Sequence, residues 1–268
     1  MNPQPADQKH CCAILYEMPL TTLLLGNSFH PGGNRLTRQL AEQAFVGPGT
    51  RVLDIACGQG NSARLLADEF GATVTGIDYS AALLNAAWQL TQTAGLAHRV
   101  NFLQADVQHL PCADQQYDVV FCECALCTFA DAPRVLAEMF RVLKPGGRLA
   151  LSDVVINAPL PQNLQSVLGQ ALCIAGARSA DEYQSLIENA GFKPPRCHDV
   201  SSVLLETVQQ IEQRLQLAEV ITSLQEISLP LELGNAEISP ADVLTSARNF
   251  IHSGGIGYTL FVARTAFN

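Results

Sequence analysis

The sequence predicts an α/β protein with a doubly wound, mostly parallel sheet of seven strands. Short apolar runs alternate along the chain with segments of helical periodicity, and turns rich in glycine separate them. Three of the runs are followed closely by an acid, at Asp54, Asp78 and Asp106. The carboxyl ends of parallel strands share one edge of such a sheet, and ligands bind there. We therefore expect the three acids to lie together at a ligand site.

The first strand and its turn give the strongest signal. The stretch 51–60 reads RVLDIACGQG, an apolar run that contains Asp54 and leads into a turn with Gly58 and Gly60. Residues 61–70 then show helical spacing, so the turn lies at a helix N-terminus, where unpaired backbone N–H groups gather. Glycine allows a ligand to approach the backbone closely. The stretch predicts a nucleoside or nucleotide site.

The second strand, 73–78, ends in an acid that fits this interpretation. Asp78 lies 18 positions after Gly60, which suits a carboxylate that binds ribose hydroxyls. The segment 58–63 also fits the dinucleotide pattern G-x-G-x-x-G/A. These residues alone leave a nicotinamide or flavin cofactor open.

The remaining elements follow from periodicity and from start and stop signals. Asn34 is expected to cap the first helix, and the capping box 179–182 to open another. The further predicted helices are 35–45, 80–93, 131–143, 180–189, 204–224 and 240–250, and the further strands are 100–105, 117–122, 148–153, 196–201 and 258–264. We expect an N-terminal arm or lid over 1–33, and one domain over 34–268 in which segments 154–180 and 202–250 cover the strand ends.

Composition excludes several classes of protein. The 268 residues are 48% hydrophobic and carry a net charge of −9, so a nucleic-acid partner is not expected. The sequence shows no signal peptide pattern and no apolar run near the roughly 18–20 residues of a membrane span. We expect no membrane partner and a cytoplasmic location. Nine cysteines, an odd number, argue against a disulfide scaffold.

Four motifs together resemble the class I S-adenosylmethionine-dependent methyltransferases. They are VLDIACGQG (52–60), GIDYS (76–80), QADVQHLP (104–111) and FRVLKPGGRLALSD (140–153). The last two are far more specific than the glycines, and they displace the nicotinamide interpretation. The pair Ala56-Cys57 departs from the family, which often has glycine and a small residue there, and the loop is still expected to form.

The resemblance implies S-adenosylmethionine as the cofactor and assigns residues to its parts. The glycine turn would hold the methionine part, Asp78 the ribose, and Asp106 with Val107 the adenine. The expected cofactor-binding residues are Asp54, Ala56, Gly58, Gly60, Asp78, Tyr79, Asp106, Val107 and Cys122. In chemical terms the site must hold an activated methyl and a nucleophile in line and away from water.

A run of cysteines begins at the end of the fourth strand, which in this fold faces the transferred methyl. The run FCECALC covers residues 121–127. Packing is the usual role of a buried thiol, but Cys122, Cys124 and Cys127 cannot all point into one core layer. A C-x-C-x-x-C run without a partner pair is not a standard tetrahedral zinc pattern.

A narrower resemblance links these cysteines to arsenite methyltransferases. Cys124, the stretch Cys173-Ile-Ala-Gly-Ala177 and the adjacent pair Cys11-Cys12 resemble the substrate cysteines of those enzymes. Trivalent arsenic is thiophilic, so thiolates can bind it and leave a lone pair to attack the methyl without a general base. The first hypothesis is therefore methyl transfer to a metalloid such as arsenite, held by Cys124, Cys173 and Cys11 or Cys12.

Two alternatives stay open. The acceptor can instead be a small organic molecule methylated on oxygen, nitrogen or carbon, with His30 of the HPGG loop and Glu123 as base and orienting group. The other alternative is a non-catalytic module that senses S-adenosylmethionine or a metal. Such a module would bind the cofactor without turnover, and the intact glycine turn and acids disfavour it.

Overall fold

The computed structural model describes residues 16–17, 25–26, 28–165, 176–225 and 240–267. Predictions that fall on Cys11, Cys12 and Cys173 lie outside the described residues. Among the described helices, none is long and apolar enough to cross a membrane.

A seven-stranded sheet forms the centre of the molecule, as predicted. The strands are β1 (Arg51–Ile55), β2 (Thr73–Asp78), β3 (Val100–Gln104), β4 (Tyr117–Glu123), β5 (Leu143–Ile156), β6 (Arg196–Asp199) and β7 (Ile256–Arg264). Their spatial order is β3-β2-β1-β4-β5-β7-β6. Strands β1 to β5 pair in parallel, and β7 runs antiparallel to both of its neighbours. The order reverses between β1 and β4, and this is the position where doubly wound sheets bind ligands.

In the part of the chain that the structure describes, seven helices cover the two faces of the sheet. They are α1 (Gly33–Gln43), α2 (Asn61–Phe70), α3 (Ala81–Thr93), α4 (Ala132–Val142), α5 (Ala180–Asn189), α6 (Ser202–Gln225) and α7 (Pro240–His252). One apolar core contains side chains of α1, α2, α3, α6 and α7, and the other contains those of α4 and α5. Helices α6 and α7 pack against each other and so form a wall on the first face.

Two helices have side-chain caps, and one of them is the predicted capping box. The Ser80 hydroxyl accepts a hydrogen bond from the Leu83 amide at 3.0 Å and so caps α3. Ser179 and Glu182 form the expected reciprocal capping box of α5. Local sequence signals were therefore sufficient to locate both helix starts.

The predicted start of the first helix is wrong by two residues. Helix α1 begins at Gly33 after Gly32, which has a φ of 77° and no side-chain cap. The glycine turn leads straight into the helix because this left-handed φ is open to glycine. Asn34 therefore lies inside the helix, and its side chain accepts a hydrogen bond from Asn61 at 2.7 Å instead of capping.

Strand β5 is longer than predicted. It continues past Asp153 to Ile156 because β7 pairs with it antiparallel along this length, up to Ile156 opposite Ile256. The first three residues of the expected cover segment 154–180 are thus part of the sheet. This extension places Val154 on the wall of the larger cavity described below.

Candidate functional site

The turn after β1 has an unusual backbone. Ala56, Gly58 and Gly60 have φ values of 56°, 53° and 71°, all in the left-handed region. A Cβ atom at Gly60 would lie 2.5 Å from Cζ of Phe102, so only glycine fits there. The Cys57 amide donates to the carbonyl of Ile77 at 3.0 Å and fixes the turn to the next strand. The expected loop forms, and Ala56 adopts a conformation that disfavours side chains.

The backbone also holds two of the predicted acids in place. The two oxygens of Asp78 accept hydrogen bonds from the amides of Gly58 and Ser80, at 2.8 and 2.9 Å. Burial raises the pKa of Asp78, and these hydrogen bonds oppose the rise. Asp106 accepts from the amide of Gln108 at 3.0 Å. Both carboxylates are therefore oriented before any ligand binds.

These groups line a cavity of about 140 Å³ at the carboxyl ends of β1 to β4, which we call the strand-end pocket. The predicted cofactor residues that line it are Ala56, Gly58, Asp78, Tyr79, Asp106 and Val107. The structure thus brings six of the nine predicted residues together in one cavity.

The other three predicted cofactor residues lie elsewhere. Asp54 borders a smaller cavity of about 50 Å³, and Gly60 shapes the turn without lining the strand-end pocket. Cys122 is fully buried in the core that contains α4 and α5. Cys122 is not among the residues that line the strand-end pocket, and its contact with the cofactor stays a prediction.

One carboxylate oxygen of Asp54 is buried without a hydrogen-bond partner among the described residues. This atom is Oδ2, and Asp54 as a whole is 3% exposed. Burial, followed by the charges of Glu123 and Asp78, raises its pKa well above the usual value. A buried oxygen without a partner is costly, which marks the small cavity as a place for a donor or a cation.

Glu123, the last residue of β4, is held by side chains of three other elements. The Ser62 hydroxyl donates to its Oε2 at 2.6 Å, and the Thr37 hydroxyl lies 3.2 Å from both carboxylate oxygens. Nε2 of His30 lies 3.5 Å from Oε2. The structure thus brings His30 and Glu123 together as predicted. Sequence reasoning missed Ser62 and Thr37, whose contacts are visible only in the fold.

His30 has an acceptor near each ring nitrogen. Nδ1 lies 3.2 Å from the carbonyl oxygen of Pro31, and Nε2 faces Glu123. The side chains of His30 and Glu123 are only 7% and 4% exposed. The Thr37 hydroxyl also lies 3.3 Å from Nε2. A carbonyl oxygen only accepts, so the contact with Pro31 suits an N–H at Nδ1 and leaves Nε2 to exchange a proton. We call this arrangement the His30–Glu123 pair.

A second, larger cavity of about 360 Å³ lies between α6, α7 and the loop that carries His30. We call it the helix-lined cavity. Its apolar wall includes Val154, Leu204, Val208, Ile211, Ile251 and Ile256. Phe29 and Cys124 line both this cavity and the strand-end pocket, so the two cavities meet there. His30 borders the helix-lined cavity and Glu123 borders the strand-end pocket, so the His30–Glu123 pair lies at the junction of the two.

Cys124 is the predicted metalloid ligand that the structure describes. It has a φ of 53°, is 6% exposed, and its amide donates to the carbonyl of Ser152 at 2.7 Å. Cys122 and Cys127 are buried in the cores on opposite faces of the sheet, so the three thiols do not share one layer. Among the described residues no cluster of three or more His, Cys, Asp or Glu could hold a metal ion. The other expected ligands, Cys11, Cys12 and Cys173, lie outside the described residues.

Comparison with protein families decides the class of the chain. Residues 47–191, more than half of its length, match the family described as "Methyltransferase domain". The chain belongs to the class I S-adenosylmethionine-dependent methyltransferases. This confirms the broader of the two resemblances read from the motifs, and with it the cofactor.

Individual relatives carry different substrate names. The chain is 39% identical over 172 residues to "Methyltransferase GfsG" of Streptomyces halstedii, which covers 63% of this chain and 62% of the relative. It is 32% identical over 235 residues to "27-O-demethylrifamycin SV methyltransferase" of Amycolatopsis mediterranei, covering 86% and 82%. It is 35% identical over 156 residues to "Arsenite methyltransferase" of Halobacterium salinarum, covering 56% and 39%. The chain thus spans less than two thirds of the first and the third of these relatives.

Solved structures agree on the fold. The [4+2]-cyclase SpnF superposes with a TM-score of 0.75 at 23% identity, covering 98% of this chain and 96% of its own. The Haemonchus contortus phosphoethanolamine N-methyltransferase 2 in complex with S-adenosylmethionine gives a TM-score of 0.76 at 20% identity, covering 95% and 56%. At these identities the likeness shows the fold alone.

The strand-end pocket fits the cofactor of this family. Two oriented carboxylates, Asp78 and Asp106, can accept from hydroxyl and amino groups, and Leu83, Val107 and Phe129 offer apolar contact to a flat ring. The unpartnered oxygen of Asp54 can meet a positive charge.

Proposed function

We propose that the chain transfers the methyl group of S-adenosylmethionine to a hydroxyl of an organic molecule bound in the helix-lined cavity. The observation that carries the proposal is the junction: the two cavities meet at Phe29 and Cys124, with the His30–Glu123 pair beside them. When bound, the cofactor supplies a methyl group activated by its sulfonium. The chain has to bind both partners, exclude water and take up a proton.

On the cofactor side, Asp78 would accept from the ribose hydroxyls through the lone pairs that its backbone hydrogen bonds leave open. Asp106 and Val107 would contact the adenine. Asp54 would pair with the ammonium group of the methionine part, since its Oδ2 atom is buried and unpartnered. A nearby positive charge favours the ionised carboxylate, so cofactor binding is expected to lower the raised pKa of Asp54.

On the acceptor side, the hydroxyl must lose its proton as its oxygen bonds to the methyl carbon. His30 would take this proton at Nε2, because Nδ1 can donate to the carbonyl of Pro31, and the carboxylate of Glu123 beside Nε2 would stabilise the imidazolium that forms. Ser62 and Thr37 would act as positioning residues, because they hold the carboxylate of Glu123. The low exposure of the pair keeps bulk water from competing for the proton.

The size of the helix-lined cavity favours an organic acceptor. Its volume of about 360 Å³ falls in the range of about 300–1,000 Å³ that is typical of sites for drug-sized molecules. Arsenite is far smaller, and much of the cavity wall is apolar. The names of several relatives point the same way, among them the rifamycin enzyme and the "O-methyltransferase cnsE" of Penicillium expansum.

A metalloid acceptor is the second candidate, because the thiol of Cys124 borders both cavities. The relative named arsenite methyltransferase supports it. Soft trivalent arsenic binds thiolates, so this chemistry would need Cys173 and Cys11 or Cys12 beside Cys124. It would not need the base that His30 provides.

We also propose that residues 1–33 act as an arm over the cofactor, and 34–268 as the catalytic domain with α6 and α7 as cover. Two described arm residues support this. Tyr16 lines the strand-end pocket, with its ring centroid 5.5 Å from that of Phe29. Glu17 accepts a hydrogen bond from the Ser80 hydroxyl at 2.6 Å, beside the start of α3.

The acceptor is tested with S-adenosylmethionine that carries a labelled methyl group. The native protein and the Cys124→Ser variant are each given 27-O-demethylrifamycin SV, 2-naphthol, or arsenite with glutathione. We expect label on oxygen of an organic acceptor, with Cys124→Ser retaining most of the rate. Label on arsenic that is lost in Cys124→Ser would instead establish the metalloid candidate and overturn the base role of His30.

A further inference from the structure

Helix α6 lines the helix-lined cavity from Leu204 to Arg214 and presents two different surfaces to it. Leu204, Val208 and Ile211 are buried and, at spacings of four and three, form one apolar stripe. A second row at a spacing of four is polar and lines the same cavity: Glu206, Gln210 and Arg214. One helix therefore offers an apolar and a polar surface side by side to whatever fills the cavity.

The cavity runs along α6 from the His30–Glu123 pair towards Arg214. A Cβ atom at Gly32 would lie 3.4 Å from Val203, so the loop that carries His30 lies at the start of α6. A Cβ atom at Gly26 would lie 2.8 Å from the guanidinium of Arg214. Val203 and Arg214 are 11 positions apart, which is about 16 Å along an α-helix. A ligand that reaches both ends must be elongated.

The two ends of the cavity carry different polar groups. Near the pair, the amide of Asn61 donates to Ser28 and to Asn34, at 2.8 and 2.7 Å. At the far end, the exposed Gln210 and the half-buried Arg214 line the cavity. This end therefore presents a positive charge and hydrogen-bond donors to a ligand, since amide and guanidinium groups both donate.

We propose that the acceptor is an elongated amphipathic molecule about 10–15 Å long. Its reactive hydroxyl lies at the His30–Glu123 pair, and its apolar body lies along Leu204, Val208 and Ile211. Its far end carries a carboxylate or another oxygen-rich group that meets Gln210 and Arg214. This inference rests on the proposed function, because it names the substrate class of the same cavity.

Two fluorescent probes test the two surfaces separately. 8-Anilinonaphthalene-1-sulfonate and N-phenyl-1-naphthylamine share one aromatic body, and only the first carries an anionic sulfonate. Their Kd values are measured by fluorescence titration on the native chain and on Val208→Trp, Ile251→Trp and Arg214→Gln. Leu217→Trp is the matched control, since Leu217 lies on the same helix but is 60% exposed.

We expect both probes to bind the native chain. Val208→Trp on α6 and Ile251→Trp on α7 both narrow the cavity, and each should weaken both probes about tenfold or more. Arg214→Gln should weaken the sulfonate probe about fivefold and the uncharged probe less than about twofold. Leu217→Trp should change neither.

The opposite results overturn the proposal. If neither probe binds, or if both cavity variants leave both probes unchanged, the apolar body does not lie on this wall. If Arg214→Gln affects both probes equally, the polar end is misplaced. S-adenosylhomocysteine binding, measured by calorimetry, shows that each variant is folded. None of these readouts needs methyl transfer, so the proposed function fails separately, through the labelled-methyl assay.

Discussion

The strand-end pocket and the helix-lined cavity are built in different ways, although they share Phe29 and Cys124. Backbone geometry makes the first: left-handed residues in the turn after β1, and Asp78 fixed by two amides. Side chains of α6 and α7 make much of the second. The side chains that line a cavity can be substituted without loss of the fold, whereas a turn built from left-handed residues tolerates few substitutions. The acceptor site can therefore vary while the cofactor site stays the same.

Loss of the proposed base, His30, should have the largest effect. It should lower catalysis far more than it weakens cofactor binding in the strand-end pocket. His30→Ala removes the group that takes the proton of the acceptor, so kcat should fall by about 10²–10⁴. The Kd of S-adenosylmethionine should change far less than kcat, because His30 borders the small cavity beside Asp54 and does not line the strand-end pocket. Single-turnover kinetics and calorimetry measure the two quantities.

His98→Ala is the matched control for this change, since His98 is exposed, its ring contacts the carbonyl of Gly95, and it lines neither cavity. It should leave both quantities unaltered. An unchanged kcat in His30→Ala would show that the His30–Glu123 pair plays no part in proton transfer.

Loss of a carboxylate in the strand-end pocket should have the reverse pattern. Asp78→Asn keeps the shape of the side chain, but it removes the charge that would bind ribose and sets an NH2 group against one of the two backbone amides from which Asp78 accepts. The expected cost is about 1.5–3 kcal/mol, or about 10- to 150-fold in the Kd of S-adenosylmethionine. Binding of the naphthylamine probe to the helix-lined cavity should stay constant. Asp181→Asn, on the exposed surface of α5, is the control. A native cofactor affinity in Asp78→Asn would refute the assignment.

The smallest expected effect is that of Asp54→Asn, which should raise thermal stability and lower cofactor affinity. Burial raises the pKa of Asp54 in the folded chain, so above about pH 4 the unfolded chain binds fewer protons than the folded one. Asp54 therefore lowers stability as pH rises, and Asp54→Asn removes this loss. Without cofactor, the Tm of Asp54→Asn relative to the native chain should rise between pH 5 and pH 8, while cofactor affinity falls. A Tm difference that does not vary with pH would contradict the raised pKa.

Much of the fold could be predicted because its signals are local. Helix α2 and strand β2 have the predicted bounds, since periodicity and flanking glycines mark both ends. The extension of β5 to Ile156 could not be predicted, because it depends on pairing with β7, which lies about a hundred residues further along the chain.

The site shows the same division. The acids could be named from short motifs, and His30 and Glu123 as a pair, but their contacts with Ser62 and Thr37 depend on how three elements meet. Cys122, also named for the cofactor, does not line the pocket. One step along β4 changes the face of the sheet, so Cys122 lies in the core while its neighbour Glu123 borders the cavities.

Independent binding at the two regions can be measured directly with the naphthylamine probe. Its Kd is determined on the native chain with and without saturating S-adenosylhomocysteine. Two adjoining sites, one for the cofactor and one for the acceptor, predict that both ligands bind together and that the probe's Kd changes less than about threefold, or about 0.6 kcal/mol. If the probe and S-adenosylhomocysteine displaced each other, the two sites would overlap, and the division into a cofactor site and an acceptor site would be wrong.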